Sequence, residues 1–281
     1  MTIKNTIATR DIQAQVKLAL QEDIGQQDLT ADLIPADSVA KATIITREVA
    51  TLCGQDWLNE VFKQLDPNIA VTWHFNDGDK MQENDVICEL SGSARILLSG
   101  ERTAMNFIQT LSATATLTSH YTDAVAGLAV EILDTRKTIP GLRLAQKYAV
   151  RCGKGFNHRI GLFDGVLIKE NHIQAAGSIE AAVAASKQSH PTIPVEVEVE
   201  DFVELQHALH AKADIILLDN FDTDALVKAV ALNQGQVKLE ASGGISLENV
   251  RAIAQTGVDR ISIGALTKDI RAIDLSMRFN A

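Results

Sequence analysis

From about residue 130 the chain alternates short apolar runs with helical stretches, and this alternation constrains the fold more than any other feature. The runs are VEILDT (130–135), GVLIKEN (165–171), VEVEVE (195–200), ADIILLDN (213–220), VKLEASGG (237–244) and RISIGA (260–265). Helix-patterned segments such as AAGSIEAAVAASKQ and LENVRAIAQTG separate them. Alternation at this spacing builds βαβ units with parallel strands. Six runs are too few for a complete α/β barrel. The pattern predicts an incomplete or distorted barrel first and an open doubly wound sheet second.

Every run finishes in polar or glycine residues: Asp134-Thr135-Arg136-Lys137, Lys169-Glu170-Asn171, Glu198 and Glu200, Asp219-Asn220, Glu240 with Ser242-Gly243-Gly244, and Gly264. Parallel α/β barrels carry their sites at the C-terminal ends of the strands. These groups are therefore expected on one rim, with cations early, carboxylates in the middle and glycines late. In VEVEVE the side chains alternate, so Glu196, Glu198 and Glu200 share one face and the valines the other. Covering helices want the valines, which turns the glutamates into the barrel, where they need cations, hydroxyls or a metal. Arg136 and Lys169 are the candidate partners; a buried ion-pair network without catalytic role is the alternative. Asp219 reads either as a cap for the next helix or, beside another carboxylate, as an oxygen ligand for Mg²⁺. The glycine turns in ASGGIS, ahead of LENVRAIAQTG, and in SIGALTK, ahead of the final segment, offer backbone N–H groups of the kind that bind phosphate.

The segment from Asp134 to Lys169 gathers eight Lys/Arg against two acids, in a chain of net charge −10. An acidic chain that collects its cations in one place holds an anion there. Those cations divide in two. Arg136, Lys137, Arg159 and Lys169 lie at or beside strand ends. Arg143, Lys147 and Arg151 recur every four residues on one helix face, either solvent-facing or lining a subunit contact. The overall acidity argues against a nucleic-acid partner, which needs a broad basic face. No apolar run has the length of a membrane span, and MTIKNTIATRD lacks the apolar core of a signal peptide, so the cytoplasm is expected. Cys53, Cys88 and Cys152 have no metal-type spacing and read as reduced core residues.

The preceding residues suggest a small α+β unit. Ile12, Val16 and Leu20 fall four apart, a helical stripe. VAKATIITREVATLCG reads as strand, and GQDWLNEVFKQLDP as a helix stopped by Pro67. IAVTWHF, DKMQENDVICELSG and ARILLSGE read as further strands. Lys80 has the look of a biotinyl- or lipoyl-carrier lysine, but an acidic turn surrounds it. A long helix is expected from Ser99, which caps it, leaving Arg102 in the first turn. The helix macrodipole disfavours a cation there, so Arg102 is expected to have a specific partner, an anion at the same terminus being one.

The strings DTRKTIPGLR, KGFNHRIGLFDGVLIKENH, VEVEVE, LLDN, EASGGI and IGALTK, with EDIGQQDLTADLIP and GERTAMNFIQTLS ahead of them, resemble the quinolinate phosphoribosyltransferases over nearly the full chain. The resemblance implies an N-terminal open-faced α/β sandwich plus a C-terminal incomplete parallel α/β barrel. The first would span 1–115, with 267–281 packing back on it, and the second 116–266. It implies the conversion of quinolinate and phosphoribosyl pyrophosphate to nicotinate mononucleotide, pyrophosphate and CO₂ with Mg²⁺, as part of NAD biosynthesis. It also implies a homodimer in which Arg102 reaches into the neighbouring subunit's site. Arg102, Thr135, Arg136, Lys137, His158, Arg159 and Lys169 would bind substrate, and Glu198 and Asp219 would hold the ribose hydroxyls and Mg²⁺. Lys137, Lys169, Glu198 and Asp219 form the catalytic set. Ser242, Gly243, Gly244, Ile263, Gly264 and Ala265 would cradle the 5′-phosphate.

The residue types suit that chemistry. Both substrates are polyanions, and Arg grips planar carboxylates with two hydrogen bonds. Pyrophosphate departure builds positive charge on the ribose, which carboxylates stabilise. The pyridine nitrogen is itself the nucleophile, so no dedicated general base is expected, and His158 binds and orients. The rivals are a relative that takes nicotinate, a molybdate-associated relative, and an anion-binding α/β protein without turnover. The density of cations favours a dicarboxylate, and the inward carboxylates favour an enzyme.

Overall fold

The computed structural model describes residues 7–279. The first six residues, where a signal peptide's apolar core was sought, and Asn280 and Ala281 at the returning terminus lie outside them. In chain order the elements begin with α1 (Thr9–Ile24), β1 (Val39–Thr46), β2 (Ala50–Thr51), α2 (Gln55–Leu65), β3 (Ala70–Trp73), β4 (Lys80–Met81), β5 (Val86–Ser93) and α3 (Ala94–Ala124). Next come β6 (Glu131–Leu133), α4 (Arg143–Cys152), β7 (Val166–Ile168), α5 (Glu170–Ala176), α6 (Ile179–Ser189), β8 (Val195–Val199) and α7 (Phe202–His210). The last are β9 (Ile215–Asp219), α8 (Thr223–Asn233), β10 (Lys238–Ser242), α9 (Val250–Gln255), β11 (Arg260–Ser262), α10 (Ala265–Lys268) and β12 (Leu275–Phe279). The chain divides into two units, one of residues 1–119, 138–154 and 267–281, the other of 120–137 and 155–266.

The first unit holds an antiparallel sheet in the order β12-β1-β5-β3. β12 lies along β1 with Ile44 opposite Met277. Ile12, Val16 and Leu20 are buried on α1, as their spacing predicts. From α2, Trp57, Leu58, Val61 and Phe62 are buried in the same cluster. Burying each such side chain contributes about 1.5–3 kcal/mol. The Trp57 indole N–H donates to Gln15 Oε1 at 2.8 Å, which ties α2 to α1. β4 pairs with β2 antiparallel, Lys80 opposite Thr51, so the carrier-like string is ordinary sheet.

Four expectations fail here. ARILLSGE is not a strand; it opens α3, which starts at Ala94. Ser99 then caps nothing, and its hydroxyl donates to Asp28 Oδ2 at 2.6 Å. Arg102 lies inside a helix on its exposed surface, so the macrodipole argument for its partner falls away. The three helical cations do not share an exposed face either. Lys147 is buried and Arg151 exposed on α4, while Arg143 Nε donates to Thr138 Oγ1 at 3.1 Å. All three cysteines are free and buried. Cys53 and Cys152, distant in sequence, converge with Asp77.

The second unit is a parallel sheet of six strands in the order β6-β11-β10-β9-β8-β7. The first strand of this unit pairs with the last, through Ile132 opposite Ile261, rather than with the second. That wrap-around order is a barrel's and rejects the doubly wound alternative. The opening lies between β6 and β7. Phe156 adds one bridge to Leu133 at that edge, with its N–H donating to Ile132 O at 2.8 Å. Val195, Val197 and Val199 are fully buried, as alternation predicts.

Candidate active site

Strand ends on the barrel rim assemble one cavity of about 430 Å³. Thr135, Arg136, Lys137, His158, Arg159, Lys169, Glu198, Asp219 and Ser242 line it, which brings together most of the residues singled out in the sequence. Each position has a local cause. Thr135 Oγ1 accepts the Lys137 N–H at 3.1 Å and folds the turn after β6. Asp134, fully buried, accepts the His158 backbone N–H at 3.0 Å and the Asn157 amide at 2.6 Å, pinning the loop that carries His158 and Arg159. Asp164 accepts the N–H groups of Ile160 and Gly161, both at 2.8 Å, and closes that loop. Arg159 Nη1 donates to Gly165 O at 3.1 Å.

The cations crowd one another. Burial first, and then the neighbouring Arg136, lowers the Arg159 pKa, while Glu196 and Asp164 pull it back up. Two guanidinium groups held at such range attract an anion of more than one charge. Lys169 Nζ is ion-paired with Glu198. The Asp219 carboxyl is raised, by burial first and then by Glu198, with Lys169 and Lys137 opposing. Glu198 and Asp219 thus repel each other beside the cavity, a donor set that fits a divalent cation with oxygen ligands. Glu200, beyond the end of β8, is exposed and its N–H donates to Glu204. The inward face of VEVEVE therefore stops at Glu198.

Deeper in the barrel, His158 Nε2 lies 2.9 Å from Glu196 Oε2 and 3.6 Å from Glu240 Oε1. Glu240 is wholly buried, and its carboxyl rises to about 7. Burial is the main cause and Glu196 the second. Among the described residues these three and the Cys53–Asp77–Cys152 group are the clusters of metal-ligand type. Asp77 is otherwise engaged: it accepts the N–H groups of Gly54 and Gln55 and the Tyr148 hydroxyl.

The glycine turns differ from each other. Gly243, at φ +93°, continues from β10, and a Cβ there would collide with the Asn220 side chain. Gly244 follows at φ +60°. After β11, the Ile263 N–H is given to Leu133 O at 2.9 Å, so the sheet uses it. Only the Gly264 and Ala265 part of that string is left for an anion. Arg102 belongs to the first unit. Leu167, Leu217 and Ser262 also line the cavity and were not singled out. Period-two spacing from Lys169, Asp219 and Gly264 would have found them.

Comparison with known proteins places these features in context. Residues 28–112 match the quinolinate phosphoribosyl transferase N-terminal domain and 114–278 the C-terminal domain. A probable nicotinate-nucleotide pyrophosphorylase [carboxylating] of Bacillus subtilis is 43% identical over 91% of this chain and 89% of its own. The nicotinate-nucleotide pyrophosphorylase [carboxylating] of Mycobacterium leprae is 40% identical over 93% and 95%. The solved nicotinate-nucleotide pyrophosphorylase of Francisella tularensis superposes with a TM-score of 0.96 at 51% identity, covering 100% of this chain and 99% of that one.

Proposed function

The chain belongs to the quinolinate phosphoribosyltransferase family, and we propose that it converts quinolinate and phosphoribosyl pyrophosphate to nicotinate mononucleotide, pyrophosphate and CO₂. The observation that carries this reading is a single cavity in which Arg136, Lys137, Arg159 and Lys169 meet Glu198 and Asp219. Four cations suit two polyanionic substrates, and two carboxylates suit a ribose that becomes positive as pyrophosphate leaves.

Arg136 and Arg159 hold the pyridine dicarboxylate, each by paired hydrogen bonds. Lys137 and Lys169 neutralise charge on the departing pyrophosphate. Glu198 and Asp219 receive the ribose hydroxyls and would hold Mg²⁺, which would supply positive charge to the departing pyrophosphate. Ser242, Gly243 and Gly244, with Gly264 and Ala265, cradle the 5′-phosphate through backbone N–H groups. The pyridine nitrogen attacks the anomeric carbon as the carbon–oxygen bond to pyrophosphate breaks. The positive charge on the alkylated nitrogen then stabilises the electron pair left on the adjacent ring carbon when its carboxylate leaves as CO₂, and that pair takes up a solvent proton. The working form is a cytoplasmic homodimer, with Arg102 supplied to the neighbouring subunit's site.

Purified protein incubated with quinolinate, phosphoribosyl pyrophosphate and Mg²⁺ is expected to release nicotinate mononucleotide and CO₂ in equal amounts. Product from nicotinate alone, without CO₂, would transfer the chain to the rival substrate. Mixing an Arg102→Ala variant with a Lys169→Ala variant should restore activity by subunit exchange; no recovery despite confirmed exchange counts against a shared site.

A further inference from the structure

His158 has both ring nitrogens committed. Nδ1 accepts the backbone N–H of Arg159 at 2.7 Å, and a nitrogen that accepts an N–H carries no proton. The hydrogen is then on Nε2, which points at Glu196 Oε2 at 2.9 Å, with Glu240 Oε1 behind it at 3.6 Å. The ring's side chain is 12% exposed, and those of Glu196 and Glu240 are 6% and 0%. His158 therefore presents the cavity with a neutral wall, neither a cation for a carboxylate nor a lone pair for a proton. What it does hold is the backbone of the next residue. Arg159 carries the guanidinium that faces Arg136, and Glu196 also acts on it electrostatically.

We propose that His158, Glu196 and Glu240 form a buried clamp in which His158 is fixed as the neutral Nε2–H tautomer and sets the Arg159 guanidinium against one carboxylate of the substrate. This rests on the dicarboxylate reading of the site given above. In that role His158, Glu196 and Glu240 are positioning residues, and Arg159 makes the contact. The second carboxylate of a dicarboxylate needs a planar donor fork at a set angle, which a flexible arginine supplies only when its backbone is held. Toward His158, Glu196 contributes as a hydrogen-bond acceptor rather than as a counter-charge.

Two measurements test the clamp. Histidine-selective ¹⁵N spectra of the full-length protein near neutral pH should show one ring with an unprotonated Nδ1 and a protonated Nε2, assigned by its loss in His158→Gln. A doubly protonated His158 ring would overturn the proposal. In kinetics, Glu196→Leu removes the acceptor and should raise KM for quinolinate at least about tenfold, with kcat and KM for phosphoribosyl pyrophosphate within about threefold. Glu196→Gln keeps an acceptor oxygen and should restore KM to within about threefold of the parent. A Gln variant as impaired as the Leu variant, or a loss confined to kcat, would overturn it. The spectra need no turnover and the Gln variant keeps the volume of the buried site. Absence of any reaction in the parent protein would count against the proposed function, while a neutral His158 ring would still support the clamp.

Discussion

Two pairs of carboxylates stand on the parallel sheet at different depths, the outer on the adjacent strands β8 and β9 and the inner on β8 and β10, with β9 between them. Glu198 and Asp219 occupy strand ends, where Lys169 pairs with Glu198 and the Asp219 carboxyl is only moderately buried. Glu196 lies two residues before Glu198 on β8, and Glu240 two residues before Ser242 on β10; both are buried, with His158 between them. A two-residue step keeps a side chain on the same face and moves it roughly 6.6 Å along the strand. That step separates a lysine-paired carboxylate at a cavity from one walled in with another acid. The outer pair is thus suited to meet changing charge, and the inner pair to hold a fixed arrangement beneath it.

The sharpest way to break the comparison is to neutralise the outer pair. Glu198→Gln and Asp219→Asn should each lower kcat about 10²-fold or more, followed as nicotinate mononucleotide formation, with the folded state retained. Near-parental rates would remove the distinction between the pairs. The inner pair should answer in stability instead. The Glu240 carboxyl stands at about 7 when folded and in the ordinary glutamate range when unfolded. Between roughly pH 4.5 and 7 the unfolded chain loses this proton and the folded chain keeps it, so stability is lost as pH rises through that window. Glu240→Gln has no proton to lose. Its stability relative to the parent should improve by up to roughly 3 kcal/mol from pH 4.5 to pH 8, measured by urea unfolding. A constant difference would mean that Glu240 is ionised when folded.

Smaller effects map the rim around the outer pair. Gly243→Ala places a Cβ at φ +93° against Asn220 and should cost about 1–3 kcal/mol while raising KM for phosphoribosyl pyrophosphate. Unchanged KM would take the glycine turn out of the phosphate site. Arg151→Ala, on an exposed helix position, should stay within about 0.5 kcal/mol and leave kcat alone, which separates helix cations from strand-end cations.

Much of the barrel was legible because parallel strands write their burial into a simple pattern. VEVEVE announces a buried valine face and an inward glutamate face, and Val195, Val197 and Val199 are buried accordingly. The polar strand ends announced the rim, and seven of those groups meet in one cavity with His158 and Arg159 from a loop. The start of α3 was not legible. Ile96, Leu97 and Leu98 form a short apolar run that strand and buried helix share. Gly100 lies inside the helix, where a Cβ would press on Phe62 and Leu65 of α2. Close packing, a tertiary demand, explains that glycine.

The sequence by itself determined which residue types reach the strand ends and which face of each strand carries them, since period-two alternation is a property of the backbone alone. Only the tertiary structure decided how deep each group lies and what stands beside it. Depth and neighbours come from strand register and from a loop pinned by Asp134, both set by contacts between residues far apart in sequence. For that reason the glutamates of one six-residue string end in three settings: Glu196 buried against His158, Glu198 paired with Lys169 at the cavity, and Glu200 exposed beyond the strand.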